Sequence, residues 1–326
     1  MEFALNERSE APTASGPAFA RPVPDSGYAW WYVDALSDDR RHGLTIIAFV
    51  GSVFSPYYRF RRRKGPAPAD DHVAINVALY GAAGHRWAMT ERGRSALHRD
   101  MGAFSVGPSA LVWNRDTLDI EIDEVTFPFP GRIKGRVRLV PEAINDTAYT
   151  LDHSDRHSWR PIAPLARVEL RLSSPQLTWQ GSGYFDSNWG DEPLEAGFRS
   201  WDWSRSTCPG GTTIHYDRIM RDGRPKGLSI RIAGDGSIVP LVPPPRVTMP
   251  GTLWRIPRAT RSAGGRGAQV VATLEDTPFY ARSHIRADLG HGPVDMMHES
   301  LDLDRFMSPV VQAMLPFRMP RRARWP

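Results

Sequence analysis

The sequence predicts an all-β protein: antiparallel β-barrels or sandwiches in tandem, finished by one C-terminal helix. Three observations carry that expectation. Short runs alternate apolar and polar residues with period two, most cleanly at 117–127, where Leu118, Ile120, Ile122 and Val125 stand against Asp119, Glu121 and Asp123. The 28 glycines and 29 prolines among 326 residues punctuate the chain at short intervals, which suits many short strands rather than parallel α/β units. The style of the first half recurs in the second, with the polar, turn-like DEPLEAG at 191–197 between them.

The elements follow in order. Residues 1–24 are rich in Pro, Ala, Ser and charge and read as a mobile arm. Strands are expected at 44–54, 73–80, 86–91, 117–127, 132–140, 168–172 and 176–179. In the second half, 212–220 and 227–232 flank the turn RDGRP, a hairpin signal, and further strands are expected at 270–275 and 280–289. Only 303–315 has a helical rhythm. The expected division is an arm at 1–24, a β domain at 25–195 and a second at 196–326.

Bulk composition narrows the function. Hydrophobic residues form 41% of the chain and charged residues 24%, so a core can be buried and a disordered polymer is excluded. The one cysteine, Cys208, precludes an intrachain disulfide and a Cys-based metal cluster, and suits a reducing cytoplasm. No basic-plus-apolar secretory signal opens the sequence, and the longest apolar run, 44–54, is about half a membrane span. No transmembrane helix is therefore expected. The net charge of +5 is concentrated in two knots, Arg59, Arg61, Arg62, Arg63 and Lys64, and Arg318, Arg321, Arg322 and Arg324 beside Trp325. A solvated surface explains them as well as a partner does. No nucleic-acid-binding signature is present, and Arg mixed with Phe317 and Trp325 suits a bilayer surface.

Common catalytic machinery is missing. There is no GxSxG elbow, no HExxH and no Walker loop, and GGRG at 264–267 does not sit in a strand–helix unit. Three clusters remain. In GSGYFDSNWG (181–190), Tyr184, Asp186 and Asn188 share a face if the segment is extended. A carboxyl in an apolar wall has a raised pKa and acts as a proton donor near neutral pH; the alternative is a turn whose Asp and Asn bond the backbone. In HSDRHSWRP (153–161), His157 and Trp159 would also share a face, either as a relay beside a cation-tolerant ring or as a polar loop with the Trp in the core. In SWDWS (200–204), Trp201 and Trp203 alternate with Asp202, as a slot lining or as plain core.

Taken together these stretches resemble the carotenoid 1,2-hydratases, also called hydroxyneurosporene synthases, of phototrophic bacteria. The matching segments are GSVFSPYYRFRRR (51–63), HVAINVALYG (72–81), MTERG (89–93), RHSWRP (156–161), GSGYFDSNWGDEPLE (181–195) and FRSWDWSR (198–205). The resemblance implies a lipocalin-like fold of two tandem antiparallel units, and hydration of the terminal C1=C2 bond of an acyclic carotenoid such as neurosporene or lycopene, with no cofactor or metal. It implies Asp186 as proton donor, with Tyr184, His157 and Trp159 beside it. It also implies a cytoplasmic protein peripheral to the inner, intracytoplasmic membrane, with no nucleic-acid partner. Asp186 would protonate C2, Trp159 or Tyr184 would face the tertiary cation at C1, and His157 would orient the attacking water or return the proton. Asn188, Trp189, Phe198, Trp201 and Trp203 are the expected substrate contacts. The competing readings are a non-catalytic lipocalin-type carrier of carotenoid or lipid, and a hydratase of a shorter isoprenoid.

Overall fold

The computed structural model describes residues 16–82, 84–208, 210–263 and 267–322, and divides them into two compact units. The first runs to Pro193 and takes the chain up again from Ala313; the second is Leu194–Gln312. The architecture is all-β, as the sequence predicts, and lipocalin-like, as the resemblance implies.

The first unit holds β1 (Tyr28–Ser37), β2 (His42–Val50), helix α1 (Pro56–Arg62), β3 (Val73–Gly81), β4 (Arg86–Met89), β5 (Glu91–Arg92), β6 (Leu97–Arg99), β7 (Ala103–Val106), β8 (Ser109–Asn114), β9 (Thr117–Val125), β10 (Arg132–Ala143), β11 (Tyr149–Thr150), β12 (His157–Ser174) and β13 (Gln176–Gly190). These form one sheet whose main path runs β5-β3-β2-β1-β13-β12-β10-β9-β8-β7-β6. The sheet curls on itself: β1 and β7 are six places apart in that order, yet Trp31 and Phe104 bring their ring centroids within 5.3 Å. Inside the curl sits one apolar core, to which β1 gives Ala29, Trp31, Val33 and Ala35, and β13 gives Phe185. Alternation then turns Tyr28, Trp30, Tyr32 and Asp34 of β1, and Tyr184, Asp186 and Asn188 of β13, to the opposite face.

The strand expected at 44–54 stops at Val50, because Gly51 takes a φ of +65°, a conformation glycine alone adopts at little cost. The short strands expected at 168–172 and 176–179 are the outer ends of β12 and β13, which run on inward through both candidate clusters. Of the arm expected at 1–24, residues 1–15 lie outside the described ones. Residues 16–23 pack rather than hang loose: Phe19 is fully buried against Trp31, and the Trp31 indole donates to the Pro17 carbonyl at 2.7 Å.

The second unit holds helix α2 (Leu194–Gly197), β14 (Phe198–Cys208), β15 (Gly211–Met220), β16 (Pro225–Ala233), β17 (Ile238–Pro240), β18 (Arg246–Met249), β19 (Arg258–Arg261), β20 (Gln269–Asp276), β21 (Tyr280–Asp288) and β22 (Pro293–Asp302). Seven strands form an antiparallel sheet in the order β17-β16-β15-β14-β22-β21-β20, and β18 pairs with β19. Asp202 fastens that pair to the sheet: it accepts from Ser300 Oγ at 2.6 Å and from the Ala259 amide, and pairs with Arg246. The single helix expected at 303–315 is broken into α3 (Leu303–Met307) and α4 (Pro309–Met314). Pro309 has no N–H to continue the first helix, and it pushes Ser308 to an extended ψ of 141°. The chain ends its described course in β23 (Arg321–Arg322), parallel to β5.

Candidate active site

Three adjacent strands build the site. In the register, Asp186 of β13 lies opposite Tyr32 of β1, Tyr184 opposite Asp34, and Asn188 between Trp30 of β1 and Trp159 of β12; His157 lies opposite Gly190. Side chains directly opposite in an antiparallel pair share a face, so these residues converge on the face away from the apolar core.

Asp186 is 4% exposed. The indole Nε1 of Trp159 and the hydroxyl of Tyr184 both donate to its Oδ2, each at 2.8 Å. An indole N–H can only donate, so Oδ2 is held as an acceptor and a carboxyl proton, when present, sits on Oδ1. Aromatic rings surround this carboxyl: Tyr32 and Tyr184 meet edge-on at 6.2 Å between centroids, Tyr149 stands 5.7 Å from Trp159, and Tyr28 stacks on Trp30 at 5.0 Å. The arrangement suits delivery of one proton into an apolar, aromatic setting.

His157 is fully buried and engaged at both ring nitrogens. Its Nδ1 lies 2.9 Å from the Tyr28 hydroxyl and its Nε2 lies 3.2 Å from Glu192 Oε1. Burial pushes its pKa below the ordinary histidine value, against the opposing pull of the Asp152 and Glu192 carboxylates. The neutral tautomer with its proton on Nε2 fits both contacts: Nε2–H donates to Glu192 and Nδ1 accepts from Tyr28. Arg156 pairs in turn with Glu192 and Asp191.

Two further groups on this face are polar and buried. Asn188 Nδ2 and Thr45 Oγ1 make no hydrogen bond among the described residues, and Thr45 of β2 lies opposite Asp34. Among the same residues no group of three or more His, Cys, Asp or Glu is placed to hold a metal ion.

The structure brings Asp186, Trp159 and Tyr184 into direct contact, and sets Asn188 and His157 on the same face. Trp189 is a correction. Strand alternation turns it to the core face, where it packs on the apolar cluster with the Arg21 guanidinium 3.8 Å above its ring. Phe198, Trp201 and Trp203 lie buried on β14 of the second unit, with Trp201 edge-on to Phe198 and to Tyr216 at 5.9 Å each. The sequence reasoning missed Tyr28, Trp30, Tyr32 and Asp34, which lie in YAWWYVDALS, a run buried on both faces and without polar alternation.

The C-terminal basic knot is partly engaged within the protein. Arg321 pairs with the buried Glu91 and donates to the Asp71 carbonyl, and Arg318 lies over the Trp87 ring at 4.5 Å. Arg324 and Trp325 lie outside the described residues. No described helix is long and apolar enough to cross a membrane.

The family model described as carotenoid hydratase CrtC matches residues 46–326. The chain is 54% identical over 309 residues to the acyclic carotenoid 1,2-hydratase of Thiocapsa roseopersicina, covering 94% of this chain and 76% of that protein. In fold it is similar to an AttH-type protein from Nitrosomonas europaea (TM-score 0.57, 13% identity, 90% of this chain and 98% of that one). It is also similar to kievitone hydratase from Nectria haematococca (TM-score 0.52, 9% identity, 89% and 97%).

Proposed function

The chain belongs to the carotenoid hydratase family, and from that premise we propose that it adds water across the terminal C1=C2 bond of an acyclic carotenoid such as neurosporene or lycopene, with Asp186 as the acid. The observation that carries this reading is the buried carboxyl whose Oδ2 is occupied by the Trp159 and Tyr184 donors. Burial among aromatic rings favours its protonated form. The Oδ1–H bond breaks and a new C–H bond forms at C2, leaving a tertiary cation at C1. An aromatic face offsets such a charge by roughly 2 kcal/mol or more when desolvated, and the rings of Trp159 and Tyr184 are the nearest to the carboxyl by contact. Asn188, with a buried amide donor to spare, lines the same face two residues from Asp186 and contacts the substrate end group. His157 acts as a neutral anchor that fixes the end of β12 through Tyr28 and Glu192. Water and a recycled proton balance the reaction, so the scheme needs no cofactor.

Purified protein incubated with lycopene in detergent, without added cofactor, is expected to give a product heavier by one water. Asp186→Asn keeps the shape, removes the proton, and is expected to bind pigment without turnover. If the wild type gives no hydrated product the reading fails; if Asp186→Asn still turns over, the assignment of the acid fails. Contacts of Phe198, Trp201 and Trp203 with the polyene form a separate proposal, tested by the KM of each Leu variant.

Peripheral membrane association is proposed to run through α1. Phe60 is exposed there beside Arg61, Arg63 and Lys64, a mixture that suits an anionic lipid surface. Replacing the three basic residues with Glu is expected to abolish salt-sensitive sedimentation with anionic vesicles; unchanged sedimentation overturns this.

A further inference from the structure

Hydration has a second half, the capture of the cation by water. When water attacks C1 it becomes an oxonium, and something must take its extra proton. We propose that Asp34 is that group, a catalytic base that works with Thr45 to hold and deprotonate the attacking water. This rests on the hydratase reading above and goes beyond it by assigning the second half of the reaction.

The argument starts from the register. Asp34 lies opposite Tyr184, and Asp186 lies opposite Tyr32, so the two carboxyls are diagonal neighbours on one face of the β1–β13 pair. Such neighbours are about 7–8 Å apart, somewhat less between Cβ atoms, so both carboxyls can act on adjacent carbons of one alkene. Asp34 is fully buried, and the Tyr32 hydroxyl donates to its Oδ2 at 3.1 Å. The two carboxyls thus repeat one motif: each takes a hydroxyl from the tyrosine two residues before it in its own strand.

A second observation points to a small polar ligand beside Asp34. Thr45, directly across on β2, is 3% exposed and its hydroxyl has no hydrogen-bond partner among the described residues. A buried hydroxyl without a partner is costly, and a water held between it and Asp34 removes that cost. His157 is poorly suited to the task, because Tyr28 and Glu192 already occupy its ring nitrogens.

The step balances. The alkene π pair takes the Asp186 proton at C2, a lone pair of water forms the C1–O bond, and the oxonium O–H bond breaks to give its proton to the Asp34 carboxylate. The proton then returns to Asp186, carried by the Tyr32 hydroxyl that bonds Asp34 and the Tyr184 hydroxyl that bonds Asp186. One water and one alkene give one tertiary alcohol, with no redox change.

The test separates protonation from capture. In D2O, Asp186 carries a deuteron, and a cation that is not captured gives a proton back and leaves recovered substrate labelled at C2. Asp34→Asn is expected to lower hydration at least 100-fold while C2 labelling persists, so the ratio of labelling to hydration rises at least tenfold. Thr45→Val, nearly isosteric, is expected to raise the same ratio by a smaller factor, and decides the matter if Asp34→Asn does not fold. Asp186→Asn is expected to lose labelling and hydration together. A ratio equal to that of the wild type in the folded variants overturns the role of Asp34. Wild-type protein that neither labels nor hydrates an acyclic carotenoid overturns the hydratase reading instead.

Discussion

Asp186 shows how one side chain's chemistry depends on its two immediate partners. Trp159 serves it twice, as an N–H donor to Oδ2 and as a ring. Trp159→Phe keeps an aromatic face and removes the donor. As the proton leaves, Asp186 becomes a carboxylate, and a hydrogen bond to a charged group contributes about 1.5–3 kcal/mol, so kcat is expected to fall roughly 10- to 100-fold with little change in KM; steady-state kinetics on a detergent-solubilised carotenoid check this, and an unchanged kcat removes the donor from the mechanism. At this scale the sequence was partly legible. Period two in GSGYFDSNWG put Tyr184, Asp186 and Asn188 on one face, as the register has it. The same rule, applied one residue further, places Trp189 on the other face, where it packs in the core. Asp34 escaped because nothing local marks a lone acidic residue in an aromatic strand; its meaning comes from β13 alongside.

At the scale of the element, β1 and β13 approach so closely that position 181 admits no side chain. A Cβ built on Gly181 would stand 2.0 Å from the Leu36 carbonyl oxygen and 2.7 Å from Ser37 Cα, both backbone. Gly181→Ala must therefore push the strands apart. Overpacking typically costs about 1–3 kcal/mol, and a loss of that size is expected in urea unfolding. Activity is expected to fall with it, since the same pair carries both carboxyls; a variant as stable as the wild type would show that the strands yield freely. Burial decides which elements could be read. β9 has one face in the core and one in solvent, so its alternation was plain. β1 is buried on nearly its whole length, and a strand covered on both faces shows no alternation. β12 and β13 mix the two regimes: their outer ends alternate, and their inner ends, which hold the site, are buried at nearly every position.

For the whole molecule, the sequence foretold β architecture, because turn residues and alternation are local signals; the pinned segment at 16–23 was hidden because its anchors, Trp31 and Arg99, are distant in sequence. Acid sensitivity belongs to this scale. His215 of β15 bonds Ser229 Oγ at 2.9 Å, and burial pulls its pKa down to about 4. The unfolded value is about 6.5, so as pH falls the unfolded chain takes up this proton first. The stabilisation is complete above about pH 6.5 and drains away toward pH 4. Between pH 7 and pH 5 the loss is on the order of 2 kcal/mol from this group. His157 and His298, also depressed by burial, act in the same direction. His215→Asn is expected to lose about 2 kcal/mol less than the wild type over that interval in urea titrations; equal losses would assign the acid sensitivity elsewhere.

The parallel pairing of β23 with β5 also sets an order of events during synthesis. A ribosome delivers β1 to β13 early, then the whole of the second unit, and only afterwards Arg321, the cation that meets Glu91. The sheet begun first thus receives its closing piece late, and Glu91 must wait with His72 as company until that piece emerges. A chain cut short before residue 321 would carry its defect in the part of the protein that was translated earliest.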